Sequence, residues 1–360
     1  MMTPQLHSQQ RFLALFKTQF PLKFPLIQAP MAGVQDHRLA VAVSNAGGLG
    51  SLPAAMMSLD TLRSELTQLS AKTSQPYNVN FFCHTPAVLD DAREQRWRAA
   101  LKPYYDELGL DTNKIPTGPG RAPFSHEAAD ILEAFKPAVV SFHFGLPDPD
   151  LLARVKSWTS WDCKIISSAT TPEEAVWLEA QGVDAVIAQG LEAGGHRGHF
   201  LDHDLTRQLG TCALLPQIVQ VVKIPVIAAG GICDAAGVAA AFALGASAVQ
   251  VGTAYLLCDE ATTSTLHRAA LKSVAAQHTA LTNLFTGRPA RGIVNRIMRE
   301  LGSLSDKTPA FPLATGAMAP LRAKAESLGS SDFSPLWSGQ NASGCRETSA
   351  AELTLALMQS

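Results

Sequence analysis

Lys164–Gly198 reads KIISSATTPEEAVWLEAQGVDAVIAQGLEAGGHRG, and it holds one complete unit of the fold. Its two apolar runs, KIIS and DAVIA, are short and rich in β-branched residues. That is the pattern of strands buried on both faces of a parallel sheet. Between them, Thr171 stands as an N-cap, with Pro172 at the first helical position and Glu174 at the third. The helix runs on through AVWLEAQ and stops at Gly182, a residue suited to a left-handed C-cap. Asp184 opens the next strand, and the glycine-rich turn Gly190–Gly198 follows it.

The same alternation extends in both directions. Candidate strands cover Phe24–Met31, Gly48–Leu52, Tyr77–Phe82, Ala138–Phe144, Cys163–Ala169, Asp184–Gln189, Pro225–Gly230 and Ser247–Tyr255. Asp234–Leu244 repeats the helix scheme and ends at Gly245 before SAVQV. Six such units would suit an open doubly wound sheet, whereas eight in series favour a closed (β/α)8 TIM barrel. The barrel is expected over residues 12–258. The span Thr85–Pro137 is too long for one crossover and carries VLDDAREQRWRAALKPYYDEL before the Gly/Pro-rich Thr117–Pro123, so a helical segment is inserted at about 85–137. Residues 259–335 read as a smaller, mainly helical cap, and 336–360 as a C-terminal helix returning to the barrel.

Bulk composition narrows the function class. Apolar residues make up 46% of the 360, the formal net charge is -2, and the 29 basic residues are scattered. No electrostatic footprint for nucleic acid or an anionic membrane results, which leaves a small molecule as partner. The six cysteines at 83, 163, 212, 233, 258 and 345 show no C-x-x-C spacing, and read as reduced thiols of a cytoplasmic protein. Met1–Gln10 lacks the apolar core of a signal peptide, and no uncharged apolar run reaches the ~18 residues of a membrane span. A monomer and a homodimer are both compatible with this sequence.

In a barrel, chemistry gathers where the strands end. The last two strands end in Ala229-Gly230-Gly231-Ile232 and in Gln250-Val251-Gly252-Thr253, where glycines let backbone N–H groups approach a phosphate and a following helix adds positive potential. The turn Gln189–Gly198 holds four glycines, so its Gly194-Gly195 backbone can lie against a flat ligand. His196 is its one side chain able to exchange a proton near neutral pH. His199 and His203 follow at irregular spacing with no acidic or thiol ligand paired to them, so no metal is expected. His143, between Phe142 and Phe144, reads equally as a core histidine and as a pocket residue. Ala29, Pro30 and Met31 after the first strand could line a planar ring, and Asn80 points the same way as Asn78 near its strand end. No G-x-S-x-G elbow, P-loop or H-E-x-x-H is present. The residues alone therefore define a barrel binding a planar, phosphorylated ligand beside one histidine.

These motifs resemble a known family. QAPMAG at 28–33, AGGLG at 46–50, NVNFF at 78–82, SFHFGLP at 141–147, SATTPEEA at 168–175, QGLEAGGHRG at 189–198, PVIAAGGI at 225–232 and QVGTAYLLCDEA at 250–261 look like class I nitronate monooxygenases, formerly 2-nitropropane dioxygenases. FTGRPARG at 285–292 and LWSGQ at 336–340 extend the likeness. The resemblance implies noncovalent FMN, contacted by Asn80, Gln189 and Gly194 and held at its phosphate end by Gly231 and Gln250–Thr253. It places His196 on the catalytic histidine and His143 on a second active-site histidine. The implied reaction oxidises an alkyl nitronate, such as propionate 3-nitronate, with O2 through a flavin semiquinone to a carbonyl compound and nitrite. A protonated His196 would attract the anion, whereas a neutral one could remove the α-proton of a nitroalkane. The rival on the same fold is an NAD(P)H-dependent FMN reductase acting on quinones or enoyl-acyl-carrier-protein. A flavin-free barrel binding a phosphorylated metabolite is the rival of another class. One departure stands out: the family commonly offers a tyrosine in a P-A-Y-P-like segment, and here the chain reads Pro309-Ala310-Phe311-Pro312, which leaves Tyr104 or Tyr105 as the nearest polar candidate.

Overall fold

The computed structural model describes residues 13–116 and 121–359. The reading of Met1–Gln10, the barrel's first expected residue and part of the Gly/Pro-rich stretch lie outside the described residues. Eight parallel strands form the barrel: β1 (Leu26–Gln28), β2 (Gly50–Pro53), β3 (Tyr77–Phe82), β4 (Val139–His143), β5 (Lys164–Ala169), β6 (Ala185–Gln189), β8 (Val226–Ala229) and β9 (Ala248–Val251). Their order is β1-β9-β8-β6-β5-β4-β3-β2, and a parallel bridge from Ile27 to Leu49 joins the two ends, so the sheet closes. The TIM barrel expected from the alternation of apolar runs and capped helices is thus the observed fold.

The reasons are local. Thr171 accepts a hydrogen bond from the Glu174 N–H, and the helix Pro172–Ala180 starts there as the sequence implied. Glu174 also turns its carboxylate back onto the Thr170 N–H at 2.7 Å and the Phe200 N–H at 2.5 Å, so one buried acid ties this helix to two loops. The barrel interior is a layer of Ile27, Leu49, Val139, Ile166, Ile187 and Ile227, all buried. Phe16 and Phe20, stacked at 4.5 Å, pack into the same cluster from the N-terminal segment. The one open end of the barrel is therefore the end where the strands finish.

Two short strands, β10 (Thr279–Thr282) and β11 (Ala290–Ile293), pair antiparallel, and β11 also pairs with β7 (Gly195–His196). These strands were not foreseen. Four residues of alternating character are too few to stand out against helical surroundings. A second apolar core joins the helix Asp91–Glu107 to the region 284–333 through Trp97, Leu101, Tyr105, Phe285, Ile297 and Leu321. The inserted segment and the later chain thus share one core. The C-terminal helix Ala350–Leu357 begins with a capping box at Ser349 and packs on the helix His37–Ala46. Among the described residues no helix is long and apolar enough to cross a membrane.

Candidate active site

A cavity opens at the carboxyl ends of the strands, with the cap across it. Of the residues singled out from the sequence, Ala29, Pro30, Met31, Asn80, His143, Gln189, Gly194, Gly195, His196, Gly230, Gly231, Gln250, Gly252 and Thr253 line it. Val251 does not. Its side chain is buried in the main core, on the opposite face of β9 from Gln250 and Gly252, and its carbonyl accepts the Ala29 N–H at 2.8 Å. A strand alternates its side chains, so consecutive residues cannot all face one ligand.

The Gly194-Gly195-His196 turn is held from several sides. Gln189 donates from Nε2 to the His196 carbonyl at 2.9 Å and accepts the Gly198 N–H on Oε1 at 2.7 Å. His143 Nε2 reaches the same carbonyl at 3.1 Å, and a carbonyl only accepts, so Nε2 carries the proton. His143 Nδ1 is then the acceptor for the Ser168 hydroxyl at 2.9 Å. Both ring nitrogens are engaged by protein. Burial pushes this imidazole down to about 3, against the opposing effect of the carbonyl contact. His143 is a neutral prop of the turn, although it borders the cavity.

Two buried arginines finish the turn. Arg197 donates to the Gly190 and Gln189 carbonyls and to Gln208 Oε1, and Arg291 Nε donates to the Leu191 carbonyl at 2.9 Å. Nothing in the sequence distinguished these two from surface arginines, because their partners are mostly backbone atoms. Gly194 has no room for a side chain, since a Cβ there would sit 2.6 Å from the Gly339 nitrogen.

His196 itself is enclosed by Phe82, Phe144, Phe311 and Trp337, with ring centroids 5.4 to 5.9 Å away. Its Nε2 shares a hydrogen bond of 2.9 Å with Thr286 Oγ1, and its Nδ1 makes none with any described residue. Burial, and then the positive charges of Arg121 and Arg288, hold it well below the ordinary histidine range. The imidazole is therefore neutral at pH 7. The sequence leaves two protonation states open, and these surroundings disfavour the charged one. His199 is also neutral and meets the His203 ring edge-on at 5.3 Å.

At the other end, Gly230 and Gly231 take φ of 121° and 74°, values that favour glycine. The backbone N–H groups of Gly231 and Gly252 donate to no described protein group. Asp234 caps the helix Ala235–Ala243, but β9 leads into the 3-10 turn Thr253–Leu257 rather than the α-helix expected there. The segment 336–341 returns to this end: the Gly339 N–H donates to Thr253 Oγ1 at 2.9 Å, and Asn341 Nδ2 to the Gly231 carbonyl at 3.1 Å. Gln250 Oε1 and His267 Nε2 are buried with no hydrogen-bond partner among the described residues, and both residues line the cavity. Free amides, glycine backbone and orphaned polar atoms together fit a phosphorylated planar ligand.

Tyr104 and Tyr105 are not at this cavity. Tyr105 donates its hydroxyl to the Ala317 carbonyl at 2.6 Å inside the cap core, and the Tyr104 ring packs on Phe333. The helix Asp91–Glu107 turns Tyr105 toward the helix Ala314–Ser327 and Tyr104 toward Phe333, both into the cap core. Residues the sequence did not reveal are Arg121, Phe82, Ser168, Trp337 and Asn341, all lining the cavity, with Thr286 bonded to His196. Most come from loops or the cap, where no strand end marks them.

The family model described as nitronate monooxygenase matches residues 14–360. The chain belongs to the nitronate monooxygenase family. A nitronate monooxygenase from Paraburkholderia phytofirmans is 42% identical over 92% of this chain and 91% of its own, and one from Pseudomonas aeruginosa is 41% identical over 93% and 95%. Among solved structures, nitroalkane oxidase from Streptomyces ansochromogenes superposes with a TM-score of 0.83 at 38% identity, covering 93% of this chain and 95% of that one. FabK from Thermotoga maritima gives 0.71 at 26% identity, covering 96% and 94%. This nitronate monooxygenase family member is accordingly an oxidoreductase.

Proposed function

We propose that the chain is an FMN-dependent enzyme that oxidises alkyl nitronates with O2 to carbonyl compounds and nitrite. The observation that carries this reading is the neutral, hydrogen-bonded His196 at one end of a cavity whose other end presents free backbone amides. Gly231, Gly252 and Thr253 would hold the FMN phosphate, while Ala29–Met31, Asn80 and Gly194 would border the ring system. Bound there, FMN supplies the site with a one-electron acceptor that O2 can reoxidise.

The protein's own part is positioning and proton handling. With Nε2 as the donor to Thr286 Oγ1, His196 would keep its Nδ1 lone pair available as a base toward the α-carbon of a nitroalkane. His143 and Gln189 fix the carbonyl of the same residue, so the backbone that carries the imidazole is anchored on β4 and β6. Phe82, Phe144 and Phe311 keep bulk water from the reacting carbon.

Anaerobic mixing tests the reading. The purified protein should be yellow, and propionate 3-nitronate should diminish the flavin absorbance within the turnover time. NADH and NADPH should leave it unchanged. Rapid bleaching by either nucleotide would overturn the assignment in favour of a flavin reductase, and a colourless protein would overturn both.

A further inference from the structure

Arg121 is the one arginine or lysine among the described residues lining the cavity, and no aspartate or glutamate lines it. Its guanidinium forms no ion pair or hydrogen bond with any described residue; its close neighbour is the face of the Phe311 ring, 5.6 Å away. The contrast with the other enclosed arginines is sharp. Arg197 meets three acceptors, Arg291 reaches the Leu191 carbonyl and Thr279, and Arg288 donates to the His199 carbonyl. Burial lowers Arg121 to about 10 with no acid opposing it, so it keeps its charge at neutral pH. Arg121 is half-buried, and a partly desolvated cation without a counter-ion is costly unless a ligand completes the pair.

Its place is specific. The Arg121 backbone carbonyl accepts from His84 Nε2 at 3.2 Å, and the Phe311 ring under its guanidinium lies 4.9 Å from His84 and 5.4 Å from His196. Arg121 therefore stands at the histidine end, while the free amides of Gly231 and Gly252 lie at the other end of the same cavity. Histidine and cation divide what a single protonated histidine would otherwise do alone. Phe311 carries no hydroxyl, so no other side chain from that segment competes for the anion.

We propose that Arg121 pairs with the anionic oxygens of the substrate and makes this site select anions over their neutral conjugate acids. The inference rests on the nitronate reading for the substrate's identity. Charge-assisted hydrogen bonds to a fork of N–H donors give it both strength and orientation.

The test is Arg121→Met and Arg121→Lys in the FMN-loaded enzyme, with steady-state kinetics on ethyl nitronate, propionate 3-nitronate and nitroethane. R121M should raise KM for the anionic substrates roughly 10- to 100-fold, the range of a lost charge-assisted bond, and leave KM for neutral nitroethane within about 3-fold. R121K should fall between. A rise for both anions places the nitronate group on Arg121, and a rise confined to propionate 3-nitronate places the carboxylate there. Calorimetric titration with nitrite needs no turnover: wild type should bind it and R121M should not. Equal KM changes for anions and nitroethane, or nitrite binding untouched in R121M, would overturn the proposal. So would a loss of FMN with unchanged nitronate KM. Arg121-dependent nitrite binding in a protein that fails to oxidise nitronates would sink the functional reading and leave this one standing.

Discussion

The barrel and the cap are built on different terms. The barrel's contacts repeat along the chain: each strand pairs with a neighbour one unit away, and each helix packs on the strands beside it. The cap's core brings Trp97, Leu101 and Tyr105 against Phe285, Ile297 and Leu321, from opposite ends of the sequence. The division extends to the site. The barrel contributes glycine backbone, amides and the props His143 and Gln189, whereas the cap and its loops contribute Arg121, Thr286, Phe311 and Trp337 around His196. On the proposed function, one half of the molecule would seat the cofactor and the other would govern what approaches it. Families of this kind can change substrate in the cap while the seat is held constant.

The strongest way to break the comparison is at the seam where both halves meet the ligand. Gly194→Val would drive a Cβ to 2.6 Å from backbone atoms of Ser338 and Gly339, neither of which is a flexible side-chain end. Such a variant is expected to keep its barrel circular dichroism and to purify without flavin. A yellow, fully occupied Gly194→Val protein would show that the seat does not depend on this contact. Gly231 differs, because a Cβ there has space and only its φ of 74° resists substitution.

Next in size is the cap alone. Trp97 is fully buried, and Trp97→Ala should cost about 3–5 kcal/mol, the usual range for emptying an aromatic site. The urea midpoint should fall accordingly while FMN affinity changes little. Parallel losses of both would mean that the cap is part of the seat.

The smallest expected effect sharpens the division at His196. His196→Asn should retain flavin and slow turnover of a nitroalkane roughly 10²-fold, the scale of a positioned base. Burial and nearby cations depress the folded pKa of His196, so its proton is already lost as pH rises through that lowered value. The wild-type profile of kcat/KM should accordingly show no ionisation near 6.5, and a limb there would mean that His196 titrates as an ordinary histidine.

How much could be read in advance follows the same line. KIIS, DAVIA and the Thr171–Gly182 helix carry their structure locally, through periodicity and capping, so the barrel was legible from one unit repeated. The glycine turns were legible too, because strand ends are where a barrel puts its ligands. Arg121 was not: it sits in a Gly/Pro-rich stretch with no periodicity, and what makes it unusual is the absence of a partner. Thr286 was invisible for the opposite reason, since its one notable contact is with a residue 90 positions away. Val251 and the two tyrosines failed on direction, which depends on the face a side chain takes and on what packs there.

The Trp97 cluster has one more consequence, for synthesis on the ribosome. The helix Asp91–Glu107 emerges early, yet its covering residues 284–333 are made nearly two hundred codons later. Throughout that interval Trp97, Leu101 and Tyr105 have no native cover, a sticky face on a nascent chain whose first strands are already pairing. Truncations ending before residue 284 lack the residues that cover that face, and they should aggregate more readily than the full chain.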